Sequence, residues 1–538
     1  MNIKQLKEQC VELMSKRSTY LSLLQEIADN FYYERADFTY QRNFGSEYAD
    51  HQATSYPTMI RRDLGNQLGS MLRPTTQQWF KMSLMEGDPD IEGERYLEWV
   101  TKGMHRQMYS RKSQFSRATK QGDHDFAAFG QCVIQIRPNS YVNRLLYQNW
   151  HLKDCAWMEN QDGEIDFFVR QWKATARDLV SQFGDKTSQK VRNKLDKEPF
   201  TTFRIYHIVC AAEYYSEDAK GKDYFSIYYD IDNDTLLEVV PMWDFEYVIP
   251  RWQTVSGSQY AFSPATITAL PDARLIQAMT VSLLEAGEKA VNPPMVATHE
   301  AVKSDVSIYA GGITWVDAEY DERLGDALRP LTQDYRGLPF GFEMQEDMRI
   351  QLTKCFYLDR LRLPVNAPEM TAYEVGQRVQ QYIREAMPIF EPMEYEYNGA
   401  LCDLSFRRMM RMGAFGNPKD NMPKSLSNRE IKFDFESPLH DAIEQQKGQK
   451  FLEAKALIAE AAALDGSAYA SIDVTTALRE SLMGIGTPAV WIRSQSELEA
   501  VARKREADMV EQNRMDQMQQ SSEIAANLSQ AKEGLNVV

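Results

Sequence analysis

The sequence predicts an α+β protein in which helices dominate, and three observations lead there. Apolar residues recur at helical spacing over 3–31 and 59–72. Between about 130 and 255 the spacing drops to two, and β-branched and aromatic residues take over. Two long amphipathic runs, 263–291 and 341–361, bracket an insertion with little helical period. With 538 residues, 43% of them hydrophobic, the chain can bury large cores and is expected to form roughly two to four domains.

Each element follows from local chemistry. Leu6, Cys10, Leu13, Tyr20, Leu24, Ile27 and Phe31 form one helical stripe. Met59, Ile60, Leu64, Leu68, Met71 and Leu72 form a second after Pro57, ended at Arg73-Pro74 because the residue before proline disfavours helix. The runs CVIQI, FFVRQW, FRIYHIV, YFSIYYDI and LLEVV read as strands, with NQDGE (160–164) and DNDT (232–235) as hairpin turns. TARDLVSQFG (175–184) reads as a short inserted helix closed by glycine.

From 263 a rod of about twenty residues is expected, with Pro271 at its first helical position and Asn292-Pro293-Pro294 as its stop, about 30 Å long at 1.5 Å per residue. Leu275, Ile276, Met279, Leu283 and Ala286 share one face of it. A second rod carries Met344, Met348, Leu352, Cys355 and Phe356 on one face. The stretch between them, 292–340, has strand-like VSIY and GGITWV, so it is expected as a small subdomain on two helical stalks. After 400 the chain reads as mostly helical, with Ser494 and Glu497 opening a long C-terminal helix.

Composition excludes several classes. A formal net charge of −16 argues against a tight, sequence-reading nucleic-acid binder, although nucleic acid can still be cargo. Cys10, Cys132, Cys155, Cys210, Cys355 and Cys402 are far apart and form no CxxC, so free, mostly buried thiols in a reducing compartment are expected. No run approaches the ~20 apolar residues of a membrane span, and MNIKQLKEQC lacks a secretion core, so the expectation is a chain that stays in solution.

Catalytic motifs are sparse. DIDND (230–234) starts like a calcium loop, but Thr235 stands where the sharp turn needs glycine and Pro241 where the bidentate glutamate belongs, so a hairpin turn is the better reading. DHD (123–125) could form an acid–base or metal pair but lacks a third partner at a fixed spacing, and a polar helix end before the apolar AAFG is the commoner meaning. HEAVK (299–303) has no second histidine, GKD (221–223) is no phosphate loop, and GxSxG and GxGxxG are absent. No cofactor is expected.

MTAYEVGQR (370–378) is the best-specified helix start in the chain. The capping-box pattern predicts that Thr371 would accept from the N–H of Glu374, whose carboxylate would reach back to the N–H of Thr371, with Glu374 and Arg378 placed to pair one turn on. By itself this means a helix and no more.

Met370, Thr371, Ala372, Glu374, Val375 and Arg378 together resemble the portal family, the head-to-tail connecting proteins of short-tailed bacteriophages. Further family-like stretches stand in the family's order: RRDLGNQLGSMLRPTTQQWFKMSL (61–84), SPATITALPDAR with EKAVNPPMVA (263–297), GGITWVD (311–317) and GIGTPAVWIRSQSELEAVARKR (484–505). The resemblance implies a mixed phage portal fold. Residues 1–262 and 362–439 would form the wing, 263–291 and 341–361 the stem helices, 292–340 the clip and 440–538 the crown with its C-terminal helix. It implies no catalysis.

The same resemblance implies a virion component at a unique capsid vertex, assembled in the host cytoplasm as a homo-oligomeric, dodecameric ring. Double-stranded DNA would pass through it. Terminase large subunit and then a tail adaptor would dock on it, with scaffolding and major capsid proteins as neighbours and no membrane contact. A channel-facing loop would lie near 386–398, with Pro388, Phe390, Glu391, Glu394 and Glu396, more acidic and proline-broken than the family's usual loop. Leu275, Met279, Leu283, Met348, Leu352 and Phe356 would pack the stem. On residues alone two other classes stay open: a carboxylate-rich, metal-dependent enzyme around Asp123, Asp125 or 230–234, and a non-ring helical scaffold.

Overall fold

The computed structural model describes residues 2–40, 52–75, 77–86, 90–139, 144–291, 293–297, 328–330, 337–359, 391–416, 422–427 and 429–435, and the single positions 315, 455, 478 and 482. Its helices are α1 (Ile3–Lys16), α2 (Ser18–Phe31), α3 (Tyr56–Leu72), α4 (Ile91–Met108), α5 (Phe115–Phe129), α6 (Ala176–Phe183), α7 (Gln189–Lys197), α8 (Pro264–Val291), α9 (Leu338–Cys355) and α10 (Ala400–Arg411). The main strands are β1 (Phe80–Leu84), β2 (Val133–Pro138), β3 (Leu145–Trp150), β4 (Cys155–Glu159), β5 (Ile165–Thr175), β6 (Thr202–Ala211), β7 (Tyr224–Asp230) and β8 (Thr235–Met242). Short strands follow: β9 (Tyr247–Val248), β10 (Gln253–Thr254), β11 (Ala261–Phe262), β12 (Met295–Ala297), β13 (Leu328–Pro330) and β14 (Ile431–Phe435). The mixed helix-and-sheet class stands as expected.

Two compact units emerge: Met1–Trp79 with Met104–Phe415, and Phe80–Gly103 with the residues from Gly416 on. In the first, antiparallel strands β4 to β8 pair in chain order. Leu6, Cys10 and Leu13 of α1 pack on the face made by Phe167, Val169, Tyr206, Ile208, Phe225 and Ile227. The centre of β6 is buried on both faces, from Ile205 to Cys210, so large side chains fill both sides there, and His207 among them is satisfied by Tyr247 and Ser226. A three-stranded sheet, β3-β2-β9, stands beside α5.

The turns follow the side chains. The Asn160 carboxamide accepts from the N–H groups of Asp162 and Glu164, closing the β4–β5 hairpin. Asp230 accepts from the N–H and side chain of Asn233, and Asp234 adopts a φ of 53° between β7 and β8. Thr175 caps α6 by accepting from the N–H of Asp178 at 3.2 Å, and Gly184 ends it.

The structure departs from expectation in three places. The helical run 3–31 is two helices that break at Arg17, whose buried guanidinium donates to the carbonyls of Leu152, Lys153 and Cys155. Three carbonyl acceptors supply a position that one continuous helix would not reach. The first rod begins at Pro264, not Pro271, so α8 has 28 residues and spans about 42 Å. Pro271 sits inside it on the exposed side, where water can satisfy the carbonyl that proline leaves without a donor. The part of 386–398 that is described is helical rather than a loop: Glu391–Met393 lead into a six-residue π-helical turn, Glu394–Gly399, and then α10.

Thr371, Glu374, Arg378, Pro388 and Phe390 lie outside the described residues, as do VSIY and most of GGITWV and of 440–538. Of the strand content expected for 292–340, β12 pairs antiparallel with β13. In the second unit β1 pairs antiparallel with β14, from Phe80 opposite Phe435 to Leu84 opposite Ile431. Buried Phe80, Met82 and Leu84 line one face of that ribbon, and the Met82 N–H donates to Thr101 of α4.

Candidate functional site: the helical stalk and its anchor

The rods α8 and α9 form an antiparallel pair. Gln345 donates to Thr280 Oγ1 at 2.7 Å, and four residues earlier Gly341 faces Leu283 so closely that a Cβ there would stand 2.6 Å from Leu283 Cδ2. A residue with no side chain lets the helices approach at that level.

The base of α8 is locked into the first unit. Ala265, Thr266, Ala269, Leu270, Ala273 and Ile276 are buried, a row of three- and four-residue steps. Ser263 Oγ donates to the Ala127 carbonyl at 2.8 Å and Thr266 Oγ1 to that of Ala128 at 2.7 Å. Gly130 makes this seating possible: it closes α5 with a φ of 73°, and any Cβ on it would run into the backbone of Phe262 and Ser263. Gln277 clamps the chain before α3, accepting from the N–H groups of Ala53 and Thr54 at 2.8 and 2.9 Å and donating to the Thr54 carbonyl at 2.9 Å.

α9 is held at its far end. Leu352 and Phe356 are fully buried, the Phe356 ring lies 5.4 Å from that of Phe31, and the Tyr56 hydroxyl sits 2.6 Å from Thr353 Oγ1. Met279, Leu283 and Met348 are half-buried between the rods. Leu275 lies off the buried row, one position before Ile276, and is 45% exposed. Away from the base the pair leaves apolar groups uncovered in the single chain: Val281, Leu284, Phe340, Phe342 and Ile350 are each 46% exposed or more.

Under the stalk, α3 lies against α5. Arg61, Gly65 and Gly69 recur every fourth residue on one face of α3, with Arg73 next in that spacing just past its end, and the glycines let α5 come so close that a Cβ on Gly69 would be 2.8 Å from Asp123. Each member of DHD then meets a different arginine. Asp123 pairs with Arg73, His124 Nδ1 lies 3.2 Å from Arg61, and Asp125 takes Arg35 through both oxygens at 3.1 and 2.8 Å and also accepts from Asn149. Burial penalises the charge on both Arg73 and Asp123, but Asp123 more than offsets this for Arg73, which keeps its proton. Arg73 also donates to Asn398 and stacks over the Tyr397 ring at 4.3 Å, so the π-helical turn is tied to the same pair. Asp123 and Asp125 are buried and His124 half-buried within α5, not the polar helix end that DHD suggests.

The carboxylates that could have served an enzyme are thus committed elsewhere. Asp123 and Asp125 hold arginines, Asp232 pairs with Arg204, Asp234 pairs with Lys7, and Asp230 holds its own turn. Among the described residues no group of three or more His, Cys, Asp or Glu is placed to hold a metal ion. Within 391–396, Glu391 is exposed, Glu394 is buried, and Glu396 accepts from the N–H of Arg251 at 2.9 Å. The channel-facing expectation for these acids therefore rests on Glu391 and Glu396 among the described residues. The Arg73–Asp123–Asn398 junction was not singled out from sequence; the four-residue spacing of Arg61, Gly65, Gly69 and Arg73 is the signal that carries half of it.

Known proteins resemble this chain along most of its length. The family model for the bacteriophage head to tail connecting protein matches residues 3–492. A probable portal protein of Bordetella phage BPP-1 is 25% identical over 446 residues, covering 80% of this chain and 78% of that protein. The portal protein of Salmonella phage epsilon15 is 22% identical over 377 residues, covering 68% of this chain and 66% of its own. Among solved structures, a chain in the virion of a native gene transfer agent particle aligns over 80% of this chain and 95% of its own, at 9% identity and a TM-score of 0.32.

Proposed function

Since the chain belongs to the bacteriophage head to tail connecting protein family and is a portal-type component of the phage virion, we propose that it works as a closed ring, of twelve copies, whose α8–α9 stalks stand side by side around a bore for double-stranded DNA. The observation that carries this reading is the uncovered apolar surface of the stalk. Val281, Leu284, Phe340, Phe342 and Ile350 lie on two helices whose anchoring contacts, among the described residues, are at their base, and water is a poor cover for so many large apolar groups on one slender element. Copies of the same stalk would cover them in a head-to-tail cyclic arrangement, in which one face of each chain meets a different face of the next.

The rest of the reading follows from that ring. The 292–340 tip would present one surface repeated around the axis, suited to a terminase large subunit during packaging and to a tail adaptor afterwards, with the scaffolding and major capsid proteins around the wing. Net charge of −16 supports passage over capture, because every phosphate neutralised by the wall would release counterions and add affinity. The protein contributes no catalysis in this scheme. Its chemistry is confined to shape and charge.

Sedimentation with negative-stain imaging tests it. The wild-type chain should run as one large discrete species with a central hole, and Leu284→Glu with Phe342→Glu should leave folded monomers. A wild-type monomer, or an open filament, would mean a helical scaffold instead. Rings unaffected by the two glutamates would place the contact elsewhere than the stalk.

A further inference from the structure

In a chain this acidic, one face is basic. On α3, on α5 and on the connection 111–114 that leads into α5, five cations are exposed and carry no ion pair among the described residues: Arg62, Arg111, Lys112, Arg117 and Lys120. Of the acids on the same stretches, Asp123 and Asp125 are buried in pairs with Arg73 and Arg35, which leaves Asp63 as the exposed one; Glu34, at the edge, is paired with Arg61. The surface thus has five exposed positive charges against one unpaired negative.

Tertiary packing brings these cations together. The glycine-mediated contact of α3 with α5 brings Arg62 of one helix and Lys120 of the other near His124, where both disfavour its charged form. A cleft of about 510 Å³ opens between the helices, lined by Asn66, Ser70, Ser116, Thr119 and Lys120 over the Arg73–Asp123 pair. On the other flank of α5 a smaller cleft of about 160 Å³ is lined by Gln114, Arg117, Gln121 and Gln148. Along α5 the exposed positions are Ser116, Arg117, Lys120 and Gln121, cations and hydrogen-bonding groups one turn apart, with no apolar residue among them.

We propose that this α3–α5 face binds the phosphate backbone of double-stranded DNA. Hydroxyl and amide groups alternating with unpaired cations are what backbone contacts use. A protein partner would want an exposed aromatic or aliphatic anchor at the centre of the patch; the exposed positions of α5 offer none, and the rings that line the clefts, Tyr109, Tyr147 and Trp150, are buried or half-buried. The inference rests on the reading of the ring as a DNA conduit and assigns the contact to named residues; a few cations on an acidic body make it weak and strongly salt-dependent, compatible with movement of the duplex.

The test uses the purified full chain and a labelled random-sequence 30-base-pair duplex, followed by fluorescence anisotropy over a range of NaCl concentrations. Wild type should bind at low salt, with log affinity falling linearly in log salt. Arg62→Gln, Arg117→Gln and Lys120→Gln combined should lose at least tenfold in affinity and reduce that slope by roughly 2–3. The same loss of charge at Lys173, Lys190 and Lys197, exposed and unpaired on another part of the unit, should change affinity less than twofold. Equal losses in both triple variants, no binding by wild type, or tighter binding of polyglutamate than of duplex at this face would overturn the proposal. Imaging the same samples separates the two readings: rings that do not bind DNA through this face sink the inference alone, whereas absence of rings sinks the conduit.

Discussion

At the scale of residues, the first unit is held by charged groups that burial makes unforgiving. Asp123→Asn would leave Arg73 buried with its main counter-charge gone, and such a loss costs about 3–5 kcal/mol. Urea denaturation should show it, and Arg73→Met with Asp123→Leu should recover most of the loss, since two apolar groups need no solvation. His207 shows the opposite strategy. It is fully buried, with Nδ1 2.6 Å from the Tyr247 hydroxyl and Nε2 2.9 Å from Ser226 Oγ. Glu246 lies 3.3 Å from Nε2, near enough for an ion pair, yet burial pushes His207 well below its ordinary 6.5, Arg170 and Arg137 add to that, and burial pushes Glu246 upward. Burial also lowers His124, to about 4, with Arg61 pushing the same way. Both histidines take up a proton more readily in the unfolded chain, so their contribution to stability is complete above pH 6.5 and fades as pH falls from there toward 4. His207→Gln should flatten the fall of Tm across that window; an unchanged profile would mean that other groups set it.

At the scale of elements, the stalk depends on its anchor as well as on its own pairing. Gln277→Ala removes three backbone hydrogen bonds that seat residues 53–54, and a loss of about 1–3 kcal/mol is expected, read as a lower Tm. Hydrogen exchange should show faster opening at the start of α3 than at β6, which lies in a different packed region. The helix boundaries show how context overrides local signals. Pro271 is a valid helix-start residue, but Ser263 and Thr266 are held by carbonyls of α5, so the helix begins a full two turns earlier. Arg17 is the reverse case: nothing in its local sequence stops a helix, and distant carbonyls of 152–155 do.

At the scale of the whole molecule, assembly is where the MTAYEVGQR motif should matter. We propose that Thr371→Ala with Glu374→Ala weakens the helix start that follows the stalk, by about 1 kcal/mol, and lowers ring yield while the subunit stays soluble. Gel filtration of the two proteins side by side measures it, and equal yields with equal Tm would remove the motif's structural role. Among the described residues no helix is long and apolar enough to cross a membrane.

What the sequence determined by itself was everything carried by short periods and local caps: the strands β2 and β5 to β8, the hairpin at Asn160, the Thr175–Gly184 helix, the two rods, and a family resemblance spread over most of the chain. Those signals are local because backbone hydrogen bonds and side-chain caps act within a few residues. Only the tertiary structure decided which partner each buried charge would take, where α1 and α8 break or begin, and that cations from α3 and α5 share a face. Such pairings join residues dozens to hundreds of positions apart, and they are needed because burial penalises an unpaired charge, a property of the packed surroundings that no local window contains.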